Sequence, residues 1–141
     1  MSSLTLAQAN QIITTALAKS REAGYKPMGV AVVDGGGALK AFAREDGASM
    51  LRFEIAQGKA FAAVGMGMSS RALMLRAKEV PVFFTSLAAS AHGKFLAQTG
   101  AVVIRDASGE VIGAVGASGG TGDEDEAICI AGVEATGLSH G

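Results

Sequence analysis

The fold of this chain is decided by residues 101–116, which read AVVIRDASGEVIGAVG. Residues 101–104 are apolar and mostly β-branched and Arg105 follows them, which is typical of a buried strand. Residues 106–109 are Asp, Ala, Ser and Gly, which is typical of a turn because Asp bonds its own backbone and Gly tolerates positive φ. Residues 110–116 read as the return strand. Strands joined by so short a turn must pair antiparallel, so this stretch predicts a β-hairpin.

The same pattern occurs once more, earlier in the chain. Residues 28–33 form an apolar run that is rich in valine, and residues 34–37 are one Asp followed by three Gly. Residues 38–44 then read as a strand that pairs with the first. The first half of the chain therefore predicts a second hairpin with the same type of turn.

Helical periodicity surrounds both hairpins. Thr5 with Gln8, and Thr121 with Glu124, have the spacing of capping boxes at helix starts. The predicted helices cover residues 5–23, about 49–64, about 70–80 and 121–137, whereas residues 82–97 stay open between a strand over 82–85 and a helical or irregular segment. This order predicts an α+β fold with helices packed on a central antiparallel sheet. The βαβ alternation of a Rossmann fold is missing.

The composition fits a single domain that spans residues 1–141. Hydrophobic residues make up 49% of the 141 residues and charged residues 18%, which excludes a disordered chain. The 20 Gly are about twice the usual share and have no three-residue period, which excludes collagen. Five of them surround the last strand of the second hairpin and its exit loop, where we expect a ligand or another subunit to approach the backbone: Gly113, Gly116, Gly119, Gly120 and Gly122.

Charge and hydropathy exclude several partners. The net charge is −1, from 12 basic and 13 acidic residues, so no basic surface is expected to bind nucleic acid. No apolar run reaches the roughly 18 residues of a membrane span. We therefore expect a cytoplasmic protein with neither a nucleic-acid nor a membrane partner. The single Cys129 excludes an intrachain disulfide, and its apolar neighbours predict a small core residue.

The loop before the final helix is the first candidate site. The residues that would line a ligand there are Ser118, Gly119, Gly120 and Thr121. The alternative is a plain loop that caps the helix. Acidic residues at 123–126 complement the helix dipole and would repel a phosphate, so Glu124 and Asp125 would instead offer a carboxylate to a cation, a hydroxyl or a proton. The residues show no motif for a metal site.

Basic residues and a histidine provide further candidates. Arg44 fits either a surface ion pair at a turn or a bidentate carboxylate binder, with Asp46 beside it. Lys59 on the following helix would add a second positive charge to the same site. Arg52 and Lys59 are seven positions apart, so they share one side of that helix. His92 fits a solvated loop residue, a haem or metal ligand, or a proton-transfer group.

Short motifs along nearly the whole chain share their order and spacing with those of a known family. They are Val32-Val33-Asp34 through Gly37 and Leu39, Arg44-Glu45-Asp46-Gly47-Ala48, Lys59-Ala60, Gly109 through Val111, Gly113-Ala114-Val115-Gly116, Ser118-Gly119-Gly120 and Asp125-Glu126. Taken together, they make the chain resemble the GlcG/HbpS family of small haem-binding-type proteins. Each motif is short, and it is their common order that makes the resemblance specific.

The resemblance implies a profilin-like domain of α-β-α layers and assembly into homo-oligomers. Some relatives bind or degrade haem, and one related domain is fused to a corrinoid adenosyltransferase. Many others accompany glycolate, propanediol or aromatic catabolism. The predicted first helix contains no histidine, so no histidine ligand for haem is carried over to it.

These observations lead to three hypotheses. The first is a homo-oligomeric small-molecule-binding protein, associated with small-acid or aromatic catabolism, with haem or a related tetrapyrrole as its cofactor. The alternative is a cofactor-independent enzyme of the isomerase, tautomerase or hydratase/lyase type that acts on a small organic acid. In that enzyme Arg44 and Lys59 would hold the carboxylate, and Glu124 or Asp125 would transfer the proton. The third is a non-catalytic assembly partner of a catabolic enzyme.

Overall fold

A computed structural model describes residues 3–141 of the chain. The helices and strands follow the predicted order, with one helix more than the four predicted and a short last strand. In chain order the elements are α1 (Leu6–Ala23), β1 (Gly29–Asp34), β2 (Leu39–Arg44), α2 (Arg52–Met66), α3 (Ser70–Glu79), α4 (Pro81–Ser90), β3 (Ala101–Arg105), β4 (Val111–Ser118), α5 (Gly122–Ala135) and β5 (Ser139–His140). Across residues 3–141, none of the helices has the length and apolar character that crossing a membrane requires.

The strands form one antiparallel sheet in the order β2-β1-β4-β3-β5. Both predicted hairpins are confirmed, because β1 pairs with β2 and β3 pairs with β4. The hairpins join through β1 and β4, where Gly29 lies opposite Ser118. On the other side of β4, Ala101 lies opposite Gly116. The carboxyl end of β4 therefore lies beside the first residues of both β1 and β3, at one end of the sheet.

The two hairpin turns have the same hydrogen-bond pattern. In each turn the aspartate Oδ1 accepts backbone N–H groups from the residues two and four positions later. The distances are 3.0 and 3.0 Å at Asp34 and 2.9 and 3.1 Å at Asp106. The third residue after each aspartate, Gly37 or Gly109, has a φ of 84° or 88°, which a side chain would strain. The Asp and Gly residues that predicted the two turns therefore provide the hydrogen bonds and the positive φ angles of those turns.

Helices cover both faces of the sheet. Successive side chains of a strand point to opposite faces. On one face Val32 packs into a cluster with Ile12 of α1 and Ile128 of α5. On the other face Val33 packs with Ala60 of α2, and α3 and α4 close the outer side of α2. The predicted α-β-α layering is therefore confirmed.

The structure shows which element forms in the segment 82–97, which the sequence left open, and it shows that α2 starts later than predicted. Residues 81–90 form α4, so the strand alternative for residues 82–85 is wrong. Pro81 occupies the first turn of α4, where its missing N–H costs no hydrogen bond. α3 ends just before it, as predicted. α2 begins at Arg52 rather than near residue 49, and its start has no side-chain cap.

Removing the cap of α5 is expected to lower stability moderately. Thr121 Oγ1 accepts the Glu124 N–H at 3.2 Å, and Glu124 Oε1 accepts the Thr121 N–H at 3.0 Å. We expect Thr121→Ala to lower the free energy of unfolding by about 1 kcal/mol, measured by urea denaturation. Thr14→Ala, an exposed position inside α1, is the matched control and should change stability little. Equal effects of both substitutions would contradict the capping role.

Candidate functional site

A pocket of about 560 Å³ lies at the end of the sheet where β4 ends and β3 begins. α2 lines it with Arg52, Ile55 and Lys59, which the helical period places on one side. α3 contributes Arg71 and Met74. The rest of the lining comes from the segment before β3, the end of β4 and the first turn of α5. The prediction that Arg52 and Lys59 share one side of their helix is confirmed.

Lys59 and Asp125 form a buried ion pair that lines this pocket. Lys59 Nζ lies 3.0 Å from Asp125 Oδ2 and donates to the Ala117 carbonyl oxygen at 2.9 Å. The other carboxylate oxygen, Oδ1, accepts the Gly120 backbone N–H at 2.9 Å. Only 5% of Lys59 and 2% of Asp125 are exposed. The pair thus joins α2 and α5, which cover opposite faces, across the end of the sheet.

Burial controls the acid–base chemistry of this pair. It raises the pKa of the Asp125 carboxyl above its ordinary value, and the adjacent Lys59 ammonium and the Gly120 N–H oppose that rise. A pocket carboxyl with a raised pKa is suited to exchanging a proton with a ligand. Asp125 is therefore the residue of the pocket that is best suited to proton transfer.

Gly100 allows the chain to pass directly over the ion pair. Its φ is 136°, and a Cβ at this position would lie 2.6 Å from Lys59 Nζ and 3.0 Å from Asp125 Cβ. Its carbonyl oxygen accepts the Ala117 N–H at 3.0 Å. A side chain at position 100 would therefore displace the pair.

Arg52 is held at the pocket by two serine hydroxyls. Nη1 donates to Ser118 Oγ at 2.8 Å, and Nε donates to Ser49 Oγ at 2.9 Å. Ser118 follows Ala117, so consecutive residues at the end of β4 hold Arg52 and Lys59. In the part of the chain that the structure describes, no carboxylate lies within salt-bridge distance of Arg52. Its positive charge is therefore not neutralised by an ion pair.

Arg71, in contrast, is fully paired with the acidic start of α5. Its Nη2 donates to Asp123, and its Nε and Nη2 donate to Glu126 at 3.2 and 3.0 Å. These bonds raise the pKa of the guanidinium further. Of the four consecutive acidic residues, Asp123 and Glu126 thus share Arg71, Glu124 caps α5 and Asp125 pairs with Lys59. Between residues 3 and 141, no group of three His, Cys, Asp or Glu side chains is placed to hold a metal ion.

Apolar side chains complete the pocket wall. Ile55, Met74 and Leu96 line it together with Thr99, whose hydroxyl donates to Met74 Sδ at 3.6 Å. The pocket therefore combines an apolar wall with basic side chains and a buried carboxylate. Such a combination binds small molecules that have both an apolar body and a polar group.

The pocket brings together half of the predicted site residues, namely Lys59, Ser118, Gly120, Thr121 and Asp125. Glu124 belongs to the same helical turn, but its carboxylate serves the capping box. Gly119 packs against the backbone of Pro27, where a Cβ would overlap the carbonyl oxygen, and it lies outside the pocket lining.

Three predicted site residues, Arg44, Asp46 and His92, do not line the pocket. Arg44 is exposed and donates from Nη1 to the Ala48 carbonyl oxygen at 2.8 Å. The structure separates Arg44 from Lys59, contrary to the expected shared site, because β1 lies between β2 and β4 and adjacent strands are about 4.8 Å apart. Asp46 is exposed in the turn after β2, and His92 is exposed beyond the end of α4.

Sequence reasoning did not assign Arg52, Arg71 or Thr99 to a site. Of these three residues, only Arg52 could have been assigned from the sequence, since it lies two helical turns before Lys59 and therefore on the same side of the helix. Arg71 and Thr99 reach the pocket through the packing of α3 and of the segment before β3, which no local pattern indicates.

The close backbone approach predicted for the glycine cluster occurs within the chain itself. A Cβ at Gly113 would overlap the Val33 carbonyl oxygen, and a Cβ at Gly116 would overlap the Ala56 carbonyl oxygen of α2. These two glycines therefore serve packing between elements, which corrects the expectation that a ligand or another subunit approaches them. Gly120 and Gly122 do line the pocket.

Comparison with known proteins gives a family match over most of the chain. A family model described as haem-degrading protein HbpS-like matches residues 4–134. None of the curated proteins matches the chain.

Solved structures share the fold over almost the whole length. The complex of PduOC with haem is 23% identical, with a TM-score of 0.87, and 98% of each chain is covered. A double mutant of HbpS from Streptomyces reticuli is 27% identical, with a TM-score of 0.82 and coverage of 96% of this chain and 88% of that chain. The Klebsiella pneumoniae protein ORFY is 24% identical, with a TM-score of 0.85 and coverage of 95% and 91%. These similarities confirm the predicted profilin-like α+β fold.

Proposed function

Because this chain belongs to the HbpS-like family of haem-degrading proteins, we propose that it is a homo-oligomeric protein that binds haem in the pocket between α2, α3 and α5. The observation that supports this most is the pocket itself, with a volume of about 560 Å³, an apolar wall and basic side chains. A tetrapyrrole has apolar ring faces and charged substituents, so it needs both kinds of surface.

A thioether among the lining side chains supports haem as the ligand. Met74 lines the pocket, and a methionine sulfur is an accepted axial ligand of haem iron. His92 and His140 lie outside the lining residues, and Cys129 is fully buried, which raises the pKa of its thiol and makes it a poor ligand. Met74 would therefore be the residue that holds the iron, and Ile55 would contribute apolar surface to the site. Bound haem would supply redox and oxygen chemistry.

Titration with haemin tests this function directly. We expect a saturable shift of the Soret band at a fixed stoichiometry. Met74→Ala should change the position of the band and weaken binding about tenfold, since it removes the thioether. Met50→Ala, at an exposed position outside the pocket lining, is the matched control and should behave like the parent protein. A titration without a saturable shift would refute haem binding.

Exposed apolar side chains support the homo-oligomeric part of the proposal. Val82 is 78% exposed and Phe83 54% exposed at the start of α4, and Leu75 and Val80 are also exposed nearby in the chain. Large apolar side chains that are grouped on a surface are typical of protein–protein contacts. Measuring the mass in solution by light scattering, with Phe83→Ser as the variant, tests whether this group of residues holds copies together.

A second function, enzymatic action on a small organic acid, is favoured by one observation. Asp125 is a buried carboxyl with a raised pKa, it lines the pocket, and Lys59 lies 3.0 Å away. In an isomerase or tautomerase, Asp125 would accept a proton from carbon while Lys59 stabilises the negative charge that develops on a carbonyl oxygen. Under this second proposal, the protein would act in small-acid or aromatic catabolism in the cytoplasm, as expected from the sequence. Exchange of the C3 protons of pyruvate in D₂O, followed by NMR and lost in Asp125→Asn, would support it.

A further inference from the structure

We propose that Arg52 is the carboxylate anchor of the pocket, and that Lys59 donates its remaining N–H to an oxygen of the same ligand. The inference rests on the pocket being the ligand site. The ligand class is an amphipathic carboxylic acid, and both a haem propionate and a free small organic acid have this chemistry. Nothing in the sequence patterns assigned this role to Arg52.

The hydrogen bonds of Arg52 leave its carboxylate-binding edge available. A guanidinium has five N–H donors, and two of them are used, from Nε to Ser49 and from Nη1 to Ser118. Both partners are neutral hydroxyls, so they fix the orientation of the guanidinium without forming an ion pair, and its charge acts on the Asp125 carboxylate only through space. The remaining donors lie on Nη1 and Nη2, which is the pair that binds a carboxylate in bidentate geometry.

The position of Arg52 in its helix argues against a purely structural role. Arg52 is the first residue of α2, where the helix dipole favours an anion and disfavours a cation. The carboxylates around the pocket are occupied by other partners, because Asp125 pairs with Lys59, and Asp123 pairs with Arg71. A cation that is held at an unfavourable helix end, with no carboxylate of the described residues within salt-bridge distance, is best explained by an anion that comes from the ligand.

Lys59 provides a second contact for the same ligand. An ammonium has three N–H donors, and Ala117 and Asp125 accept two of them. Lys59 lines the pocket, and the hydrogen bonds to Ala117 and Asp125 leave its third donor, which we assign to a ligand oxygen. Ile55, one helical turn after Arg52 on the same side of α2, offers an apolar surface next to the charged group. The arrangement thus selects a carboxylate that is attached to an apolar body.

Binding measurements with three arginine variants test this inference. Arg52→Gln removes the charge, Arg52→Lys keeps the charge without the bidentate edge, and Arg44→Gln is the matched control at an exposed arginine outside the pocket. The ligands are haemin, haemin dimethyl ester, pyruvate and benzoate. Far-ultraviolet circular dichroism and urea midpoints verify that all variants fold.

We expect Arg52→Gln to weaken haemin binding at least tenfold, because a charged hydrogen-bonded pair is lost. Arg52→Lys should weaken it less, and Arg44→Gln should leave it unchanged. The dimethyl ester should bind the parent protein as weakly as haemin binds Arg52→Gln, which would identify a propionate as the group bound. If haemin binds and Arg52→Gln has no effect, the anchor is refuted while haem binding stands.

The organic acids separate the two sources of the carboxylate. If haemin does not bind, the proposal of haem binding is refuted. The anchor is then supported for a free acid if pyruvate or benzoate binds the parent protein and Arg44→Gln but does not bind Arg52→Gln. If the parent protein binds none of these ligands, the anchor is refuted as well. Equal losses in Arg52→Gln and Arg44→Gln would also refute it, since they would indicate a general effect of charge.

Discussion

Asp125→Ala is expected to lower the free energy of unfolding by about 3–5 kcal/mol at pH 7, because it leaves the charge of Lys59 buried without its partner. Lys59 is only 5% exposed and has two hydrogen-bond acceptors, Asp125 and the Ala117 carbonyl oxygen. In the variant only the Ala117 carbonyl oxygen would remain. Urea denaturation followed by circular dichroism measures the loss. The pocket should lose its ligand binding at the same time, because the first turn of α5 is fixed through Asp125 and Gly120.

Two controls distinguish this effect from a general effect of removing an acidic residue from the start of α5. Asp123→Ala removes an exposed partner of Arg71 from the same helical turn, and exposed ion pairs contribute only about 0–1 kcal/mol. The double variant Lys59→Met with Asp125→Leu removes both charges and should restore most of the lost stability. A loss of less than about 1 kcal/mol in Asp125→Ala would contradict a tightly coupled pair.

The contribution of the Asp125 carboxyl to stability should also depend on pH. In the parent protein the folded-state pKa of Asp125 is raised, so its contribution to stability is greatest below the unfolded pKa of about 4 and declines as the pH rises through the folded value.

The hairpins could be predicted from the sequence because their signals are local. Asp34 and Asp106 each bond to backbone groups at most four positions away, so the sequence around the turn contains all that the turn requires. The segment after Pro81 could not be assigned, since a short apolar run fits a buried strand and a helix equally well. Only the packing of α4 against α3 distinguishes the two.

The site was partly predictable, because its residues meet through the topology of the sheet. Lys59 and Asp125 were both candidates, yet 66 positions separate them and their helices cover opposite faces, so no pattern indicates that they bind each other. Arg44 and Arg52 are both basic residues near the start of α2. In the sheet, β1 lies between β2, which ends at Arg44, and β4, which ends at Ser118. This strand order keeps Arg44 away from Ser118, and Arg52 binds Ser118 instead.

Gly116→Ala is expected to destabilise the protein by about 3 kcal/mol, at the upper end of the effects of overpacking. A Cβ at Gly116 would overlap the Ala56 carbonyl oxygen and lie 3.0 Å from the Ala60 backbone nitrogen. Both atoms belong to the backbone of α2, so no side-chain rotation can relieve the contact. α2 must then move away from the sheet, and it carries Arg52 and Lys59 with it.

Gly65→Ala is the matched control, and its expected effect has the opposite sign. Gly65 also lies in α2, but a Cβ there would meet no atom within 4 Å. Alanine stabilises a helix interior by about 0.5–1 kcal/mol relative to glycine, so this variant should unfold at a higher urea concentration than the parent protein. If Gly116→Ala were as harmless as Gly65→Ala, α2 would not be held against β4 by this contact. Loss of ligand binding in Gly116→Ala alone would show that the seating of α2 on the sheet sets the geometry of the pocket.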